Sequence, residues 1–467
     1  MLVMKFGGTS VGSGEAIART VRLVRRSLAT GEQVVVVASA MGTRPVKVTD
    51  LLLQGAHTAA TGDKTTYSQV ADTLRQVHRA VIRETLSTEA ARTRLTLEIE
   101  AYIQRFADLC RAVLVLGELT PRALDTISAM GEQMSVRILA AALRSAGVTA
   151  QAVDATELIV TDNTYQAASP FLEPTTHRVS EHLLPLLEAE TVPVVTGFIG
   201  ASPEGVTTTL GRGGSDFSAA ILGQALAATE VWIWTDVDGV MTADPRLVEE
   251  ARTIPALTYR EVAELAFYGA RVLHPKTIRP CLESGIPLRI KNTFNPELPG
   301  TVIVPDAGAE QNGMKAVTAI EHLSLITVEG KGMIGVPGIA ARTFAAVARH
   351  GVNVLLISQA SSEQSICFAV PAGQTDTVLA DLEAAFAIEL QRRDIDRVWA
   401  LRPVSIITVV GAGMRGTPGI AGRIFGALGE HHVNIVAIAQ GSSECSISMV
   451  VDGADTAPAV QHIHTLL

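Results

Sequence analysis

The chain has 467 residues, too many for one ordinary core and enough for roughly two to four domains. Hydrophobic residues make up 47%, charged residues 18% and aromatics 4%, which argues against disorder and for an aliphatic core. A formal net charge of -9, with no Lys/Arg cluster interleaved with aromatics, argues against nucleic acid as a partner.

Four widely spaced cysteines, Cys110, Cys281, Cys367 and Cys445, indicate neither a disulfide framework nor a zinc site. The first residues, MLVMKFGG, place a lysine and two glycines where a signal peptide needs an apolar run, and no later stretch has the length of a spanning helix. A cytoplasmic chain with no membrane partner is the expectation.

In chain order, short apolar runs alternate with amphipathic stretches up to about residue 305. Strands are predicted at Leu2–Phe6, Val34–Ser39, Val192–Thr196, Val231–Thr235 and Pro287–Ile290. Helices are predicted at Glu15–Ala29, Pro121–Ala146, Ser215–Ala227 and Pro275–Glu283. Unbroken Val/Ile runs suit strands covered on both faces, so an α/β/α sandwich with a mainly parallel sheet is expected. The turn-rich segment 292–313 reads as the exit from this domain.

Beyond it the chain repeats itself. ITVEGKGMIGVPGIAARTF from Ile326 aligns with ITVVGAGMRGTPGIAGRIF from Ile407, and VNVLLISQASSEQSI from Val352 with VNIVAIAQGSSECSI from Val433, at one offset of about 81 residues. Each copy reads as a ferredoxin-like βαββαβ unit. The domains expected are therefore 1–305, 314–396 and 402–467. Both copies carry GxGxxG, but no acidic residue ends the second strand, and Gln359 or Gln440 stands there instead; a dinucleotide site is not the reading.

Four motifs carry chemistry. KFGGTSVG from Lys5 follows the first strand: Gly7 and Gly8 permit close backbone approach of an anion, and Lys5 adds charge, although a strand followed by a glycine turn is also common. TLGRGGSDFSAA from Thr209 brings three glycines and Arg212 to the start of a helix opened by Ser215 and Asp216, an anion site or a plain turn. WTDVDGVMTADPR from Trp234 ends a strand in Thr235 and Asp236 and continues through Asp238, Asp244 and Arg246, at the sheet end where ligands bind or as an ordinary acidic turn. GEQMS places Glu132 on an apolar helix face, where a ligand ammonium, an internal arginine or exposure would account for its charge. Among eleven histidines, only His274 lies in a motif, and it reads as structural.

Together these segments, with GARVLHP and IKNTFNP and the C-terminal repeat, resemble the aspartate kinase family of amino-acid kinases with two ACT domains, over essentially the whole chain. The regulatory part is most similar to that of bifunctional aspartate kinase–homoserine dehydrogenases; no dehydrogenase segment is expected after Leu467.

The resemblance implies MgATP-dependent phosphorylation of L-aspartate to 4-phospho-L-aspartate, the first step toward lysine, threonine and methionine. By the same resemblance Lys5, Arg212 and Asp216 are catalytic. Thr49, Glu132, Arg212, Gly213, Gly214, Ser215 and Asp216 bind aspartate, with Thr43 competing with Thr49 for one contact. Lys5, Gly7, Gly8, Thr235, Asp236, Met241, Arg246, Arg271 and Val272 hold ATP. Mg²⁺ is expected on the phosphates, with no metal ligands assigned on the chain. Met241 and Arg271 stand where many members have Tyr and Lys, which puts a base-stacking contact at Met241 in doubt while keeping the charge at Arg271. Asn353, Val354, Gln359, Asn434 and Gln440 are the effector-site candidates, for threonine, lysine or no inhibitor. A homodimer or larger homo-oligomer is expected.

Overall fold

A computed structural model describes residues 1–42, 47–270, 273–305, 313–360, 364–414, 417–440 and 445–467. The chain divides into two compact units. The first comprises Met1–Val240, Pro255–Tyr259 and Leu273–Asp306; the second comprises Met241–Ile254, Arg260–Val272 and Ala307–Leu467.

In the first unit the strands, in chain order, are β1 (Leu2–Phe6), β2 (Val34–Ala38), β3 (Ala150–Val153), β4 (Val192–Thr196), β5 (Ile199–Ala201), β6 (Thr207–Thr209), β7 (Glu230–Thr235), β8 (Ala256–Thr258), β9 (Leu288–Asn292) and β10 (Thr301–Val304). Eight of them form one sheet in the order β3-β4-β2-β1-β7-β9-β10-β8, and β5 pairs with β6 as a separate ribbon. From β3 to β9 every pairing is parallel; β10 runs antiparallel to β9 and parallel to β8. Strands β1, β2 and β4 are buried at every residue, as unbroken apolar runs require when helices cover both faces.

The predicted strands and helices are present, with ends displaced by about two residues at most. The helices Leu172–Glu188 and Tyr259–Phe267 and the strand β10, within the segment read as turn-rich, were not anticipated, and neither were three further helices, Val48–Ala60, Thr66–Thr85 and Glu89–Leu116. Those three helices and Pro121–Ser145 share one core with β1 and β2, built around Phe6, Leu52, Leu74, Phe106 and Trp234. Thr120 caps Pro121–Ser145 by accepting the Ala123 N–H, with Pro121 in the first turn, so the helix start is fixed locally.

The second unit holds one antiparallel six-stranded sheet. Its strands are β11 (Ala316–Glu329), β12 (Leu356–Gln359), β13 (Ser365–Pro371), β14 (Arg397–Val410), β15 (Ala437–Ala439) and β16 (Ser446–Asp452), in the order β12-β13-β11-β14-β16-β15. The long strands β11 and β14 pair twice, with a register shift between Ile320 and Leu323 where His322 takes φ 59°. The shift separates two cores. Ile326, Val328 and Phe368 pack with the first repeat, whereas Val317, at the start of β11, packs with Ile407, Ile424 and Ile463 of the second. The residues before the bulge thus complete the sheet of the second copy, and those after it open the first.

Candidate active site

The parallel strands point their C-terminal ends at one cavity of about 760 Å³. Its walls are all in the first unit: the turn after β1 (Lys5, Gly7, Gly8), the loop after β2 (Ser39, Ala40, Met41, Gly42), the end of β7 (Thr235, Asp236) and the loop Gly211–Asp216. Crevices at the carboxyl ends of parallel strands are the ligand sites of open α/β sheets, because loops there are free to vary while the sheet holds their roots.

The loop after β1 packs tightly. The Gly7 N–H donates to the Trp234 carbonyl at 3.1 Å, joining it to β7. A Cβ on Gly8 would lie 2.8 Å from the Ala40 oxygen, so only glycine lets the β1 and β2 loops meet. On the opposite wall the helix Gly214–Ala225 begins at Gly213, whose φ of 72° suits glycine and which supplies no side-chain cap. The Gly214 N–H donates to the Gly211 carbonyl at 2.9 Å, which leaves the Ser215 and Asp216 N–H groups of the first turn able to meet an anion. Lys5, only 8% exposed, brings Nζ to 2.6 Å from Asp216 Oδ1 in that turn. Arg212 is exposed beside it on the cavity wall.

Glu132 is the least ordinary group. It is 4% exposed, and its Oε1 accepts the Ala40 N–H at 3.0 Å, while Oε2 is buried with no partner. Burial pushes its carboxyl up to about 8, against the opposing pull of the Ala40 N–H and Lys5. Among the described residues no arginine pairs with it, and exposure does not relieve it.

One helix turn or two from Glu132, on the same face, Ser128 and Asp125 also line the cavity. Asp125, 1% exposed, accepts from the N–H and hydroxyl of Thr209 and from the N–H of Gln166. Sequence reasoning passed over it, together with Lys47, Gln166 and Thr209, which line the same space. The seven-residue spacing of Asp125 from Glu132 was the available signal.

Of the residues predicted from sequence, Lys5, Gly7, Gly8, Thr49, Glu132, Arg212, Gly213, Gly214, Ser215, Asp216, Thr235 and Asp236 share this cavity. Met241 and Arg246 belong to the second unit, Met241 bridging to Thr253 and Arg246 paired with Asp244. Thr43, Arg271 and Val272 lie outside the described residues. Asp238 serves as a brace, accepting from the Asn292 amide at 2.7 Å and from Asn295. His274 caps the helix Pro275–Ser284 through the Lys276 N–H. Asn353 and Val354 precede β12 and Gln359 ends it; Asn434 and Gln440 flank β15. Among the described residues, no group of three or more His, Cys, Asp or Glu is arranged to hold a metal.

Comparison with known proteins agrees with this layout. The amino acid kinase family model matches residues 1–292, and the ACT domain model matches 326–386 and 407–467. Aspartokinase 1 of Arabidopsis thaliana is 33% identical over 469 residues, which is 99% of this chain and 79% of that protein. This chain belongs to the aspartokinase family. Its fold is that of an amino acid kinase followed by two ACT domains, and the mainly parallel and antiparallel sheets described above are those of that family.

The maize bifunctional aspartokinase/homoserine dehydrogenase 1 is 38% identical over 470 residues, 99% of this chain. The chain spans about half the length of such bifunctional relatives, 50% in the maize protein. Escherichia coli aspartokinase III, solved with aspartate and ADP, superposes with a TM-score of 0.78 at 30% identity, covering 100% of this aspartokinase-family chain and 99% of that one. The same enzyme with lysine and aspartate gives 0.79. No helix among the described residues is long and apolar enough to cross a membrane.

Proposed function

We propose that this chain is an aspartate kinase that transfers the γ-phosphoryl group of MgATP to the side-chain carboxylate of L-aspartate, giving 4-phospho-L-aspartate and ADP. The observation that carries the reading is Glu132: a buried carboxylate with one unpartnered oxygen, in the same cavity as Lys5, Arg212 and an uncapped helix start. An amino dicarboxylate supplies an ammonium for Glu132 and an α-carboxylate for Arg212, leaving its second carboxylate to meet the phosphate. The aspartate and ADP held by E. coli aspartokinase III support the same pair of substrates.

In this reading Glu132 takes the ammonium, Arg212 clamps the α-carboxylate, and Thr49 and the Gly213–Asp216 turn complete the acceptor site. Gly7, Gly8, Thr235 and Asp236 face the nucleotide, with Met241, Arg246, Arg271 and Val272 as its further contacts. A carboxylate oxygen of aspartate attacks the γ-phosphorus, the bond to the β-phosphate oxygen breaks, and ADP leaves. The acceptor is already ionised at neutral pH, so no general base is required; rate comes from alignment and from Lys5 neutralising charge on the transferring group. Lys5 is held for that task by Asp216. Mg²⁺ would be carried chiefly by the phosphates whose charge it shields: of the cavity carboxylates, Asp216 is paired with Lys5, Glu132 and Asp125 are buried, and among the described residues no group of three or more is arranged to hold a metal.

Regulation by an end-product amino acid at the ACT repeat, through Asn353, Val354, Gln359, Asn434 and Gln440, belongs to the same proposal, as do a homo-oligomer, a cytoplasmic location and functional domains at 1–305, 314–396 and 402–467. Lysine bound to E. coli aspartokinase III supports an amino-acid effector. The test is to trap the acyl phosphate with hydroxylamine. ATP plus aspartate should yield aspartyl hydroxamate; its absence, with product from glutamate or N-acetylglutamate instead, overturns the substrate assignment.

A further inference from the structure

The cavity that holds Glu132 and Arg212 has a further carboxylate in its wall that hydrogen-bonds to neither of them. Asp125 sits on the helix Pro121–Ser145, two turns before Glu132 and on its face. It is 1% exposed and makes no ion pair with a described residue. Its Oδ2 accepts the Thr209 N–H at 2.9 Å and the Gln166 N–H at 3.0 Å; its Oδ1 accepts the Thr209 hydroxyl at 2.8 Å. Both oxygens are engaged by donors.

The two segments it ties are those that frame Arg212. Thr209 ends β6, three residues before the arginine. Gln166 holds a φ of 68°, rare for a residue with a side chain, and its carbonyl oxygen would lie 2.9 Å from a Cβ on Gly211, itself at φ 79°. Ala168 N–H donates to the Thr209 carbonyl at 2.9 Å, closing the frame. The Arg212 turn is thus pressed between Gln166 and β6, and both are pinned to the helix that carries Glu132. Strained backbone persists only where its surroundings over-determine it. Burying a carboxylate without a countercharge is costly, and a surface turn could be stabilised more cheaply by apolar packing.

We propose that Asp125 is a positioning residue of the acceptor site: it sets the separation between Glu132 and Arg212, and so the direction in which a bound amino dicarboxylate aims its side-chain carboxylate. The proposal rests on the aspartate kinase reading and names a residue that acts through Thr209 and Gln166. The decisive variant is Asp125→Asn. It keeps shape and volume but removes the charge: with the amide oxygen on the two N–H donors, the NH₂ takes the Oδ1 place, where it meets the Thr209 hydroxyl and, at 3.2 Å, the Gln166 N–H, so the charge-assisted ties are weakened. Thr209→Val removes the hydroxyl donor alone and serves if Asp125→Asn does not fold.

In folded protein, the KM for aspartate should rise roughly ten- to hundred-fold in Asp125→Asn and less in Thr209→Val, while the KM for ATP stays within about two-fold. Titration of aspartate into each variant should show the same ordering of affinity. Unchanged aspartate KM in the folded variants overturns the proposal, as does an equal rise in both KM values, which marks general damage. If the wild-type chain neither binds nor phosphorylates aspartate, the functional reading itself fails and this role falls with it.

Discussion

The Lys5 ammonium stands 2.6 Å from Oδ1 of Asp216, an ion pair that joins the end of β1 to the first turn of the helix Gly214–Ala225. Both side chains are largely shielded, at 10% and 19% exposure, so the contact is stronger than a surface pair. Asp216 orients the cation without neutralising the whole cavity, because Arg212 stands on the same wall.

Lys5→Ala should therefore lower kcat on the order of hundred- to thousand-fold, with modest change in the KM for ATP, since its charge matters most as phosphoryl charge shifts. Steady-state kinetics decide it: a loss confined to KM would assign Lys5 to ground-state binding.

Glu132 gives a pH signature whose sign is fixed. Its folded carboxyl is raised from 4.5 to about 8, so between those pH values the folded protein binds more protons than the unfolded chain. The contribution of Glu132 to stability falls as pH rises through that window and levels off above it. A substrate ammonium favours the ionised form, so aspartate binding near pH 7 should release a proton. Calorimetry in buffers of different ionisation enthalpy measures this release, and Glu132→Gln should abolish both it and tight aspartate binding. Binding with no proton release would remove Glu132 from the ammonium site.

Gly8→Ala tests the close approach of two loops. The new Cβ would meet the Ala40 oxygen at 2.8 Å and the Gly42 nitrogen at 3.3 Å, with backbone atoms that cannot swing aside. A destabilisation of about 1–3 kcal/mol is expected, together with a raised KM for ATP. Chemical denaturation and kinetics on the same sample report the two effects, and wild-type values for both would show that the loops have room to part.

Gln359→Ala should relieve feedback inhibition and leave kcat intact, because Gln359 ends the edge strand β12 in the second unit and does not line the catalytic cavity. Inhibition curves with lysine and with threonine identify the effector at the same time. Unaltered curves would move the effector pocket elsewhere in the repeat.

The residues alone determined a good deal. Glycine and charge spacing in KFGGTSVG and TLGRGGSD located the two anion-facing loops, since close approach and a left-handed helix start need glycine wherever they occur. Valine runs gave the buried parallel strands, and self-alignment gave the ACT repeat. Tertiary structure decided what depends on distant partners. That Glu132 keeps one oxygen unpartnered, that Asp125 is consumed by Thr209 and Gln166, and that Val317 completes the core of the second repeat are outcomes of which surfaces meet. Periodicity records which face of an element is apolar, but not which element covers it, and a carboxylate's role is set by the donors that folding brings to it.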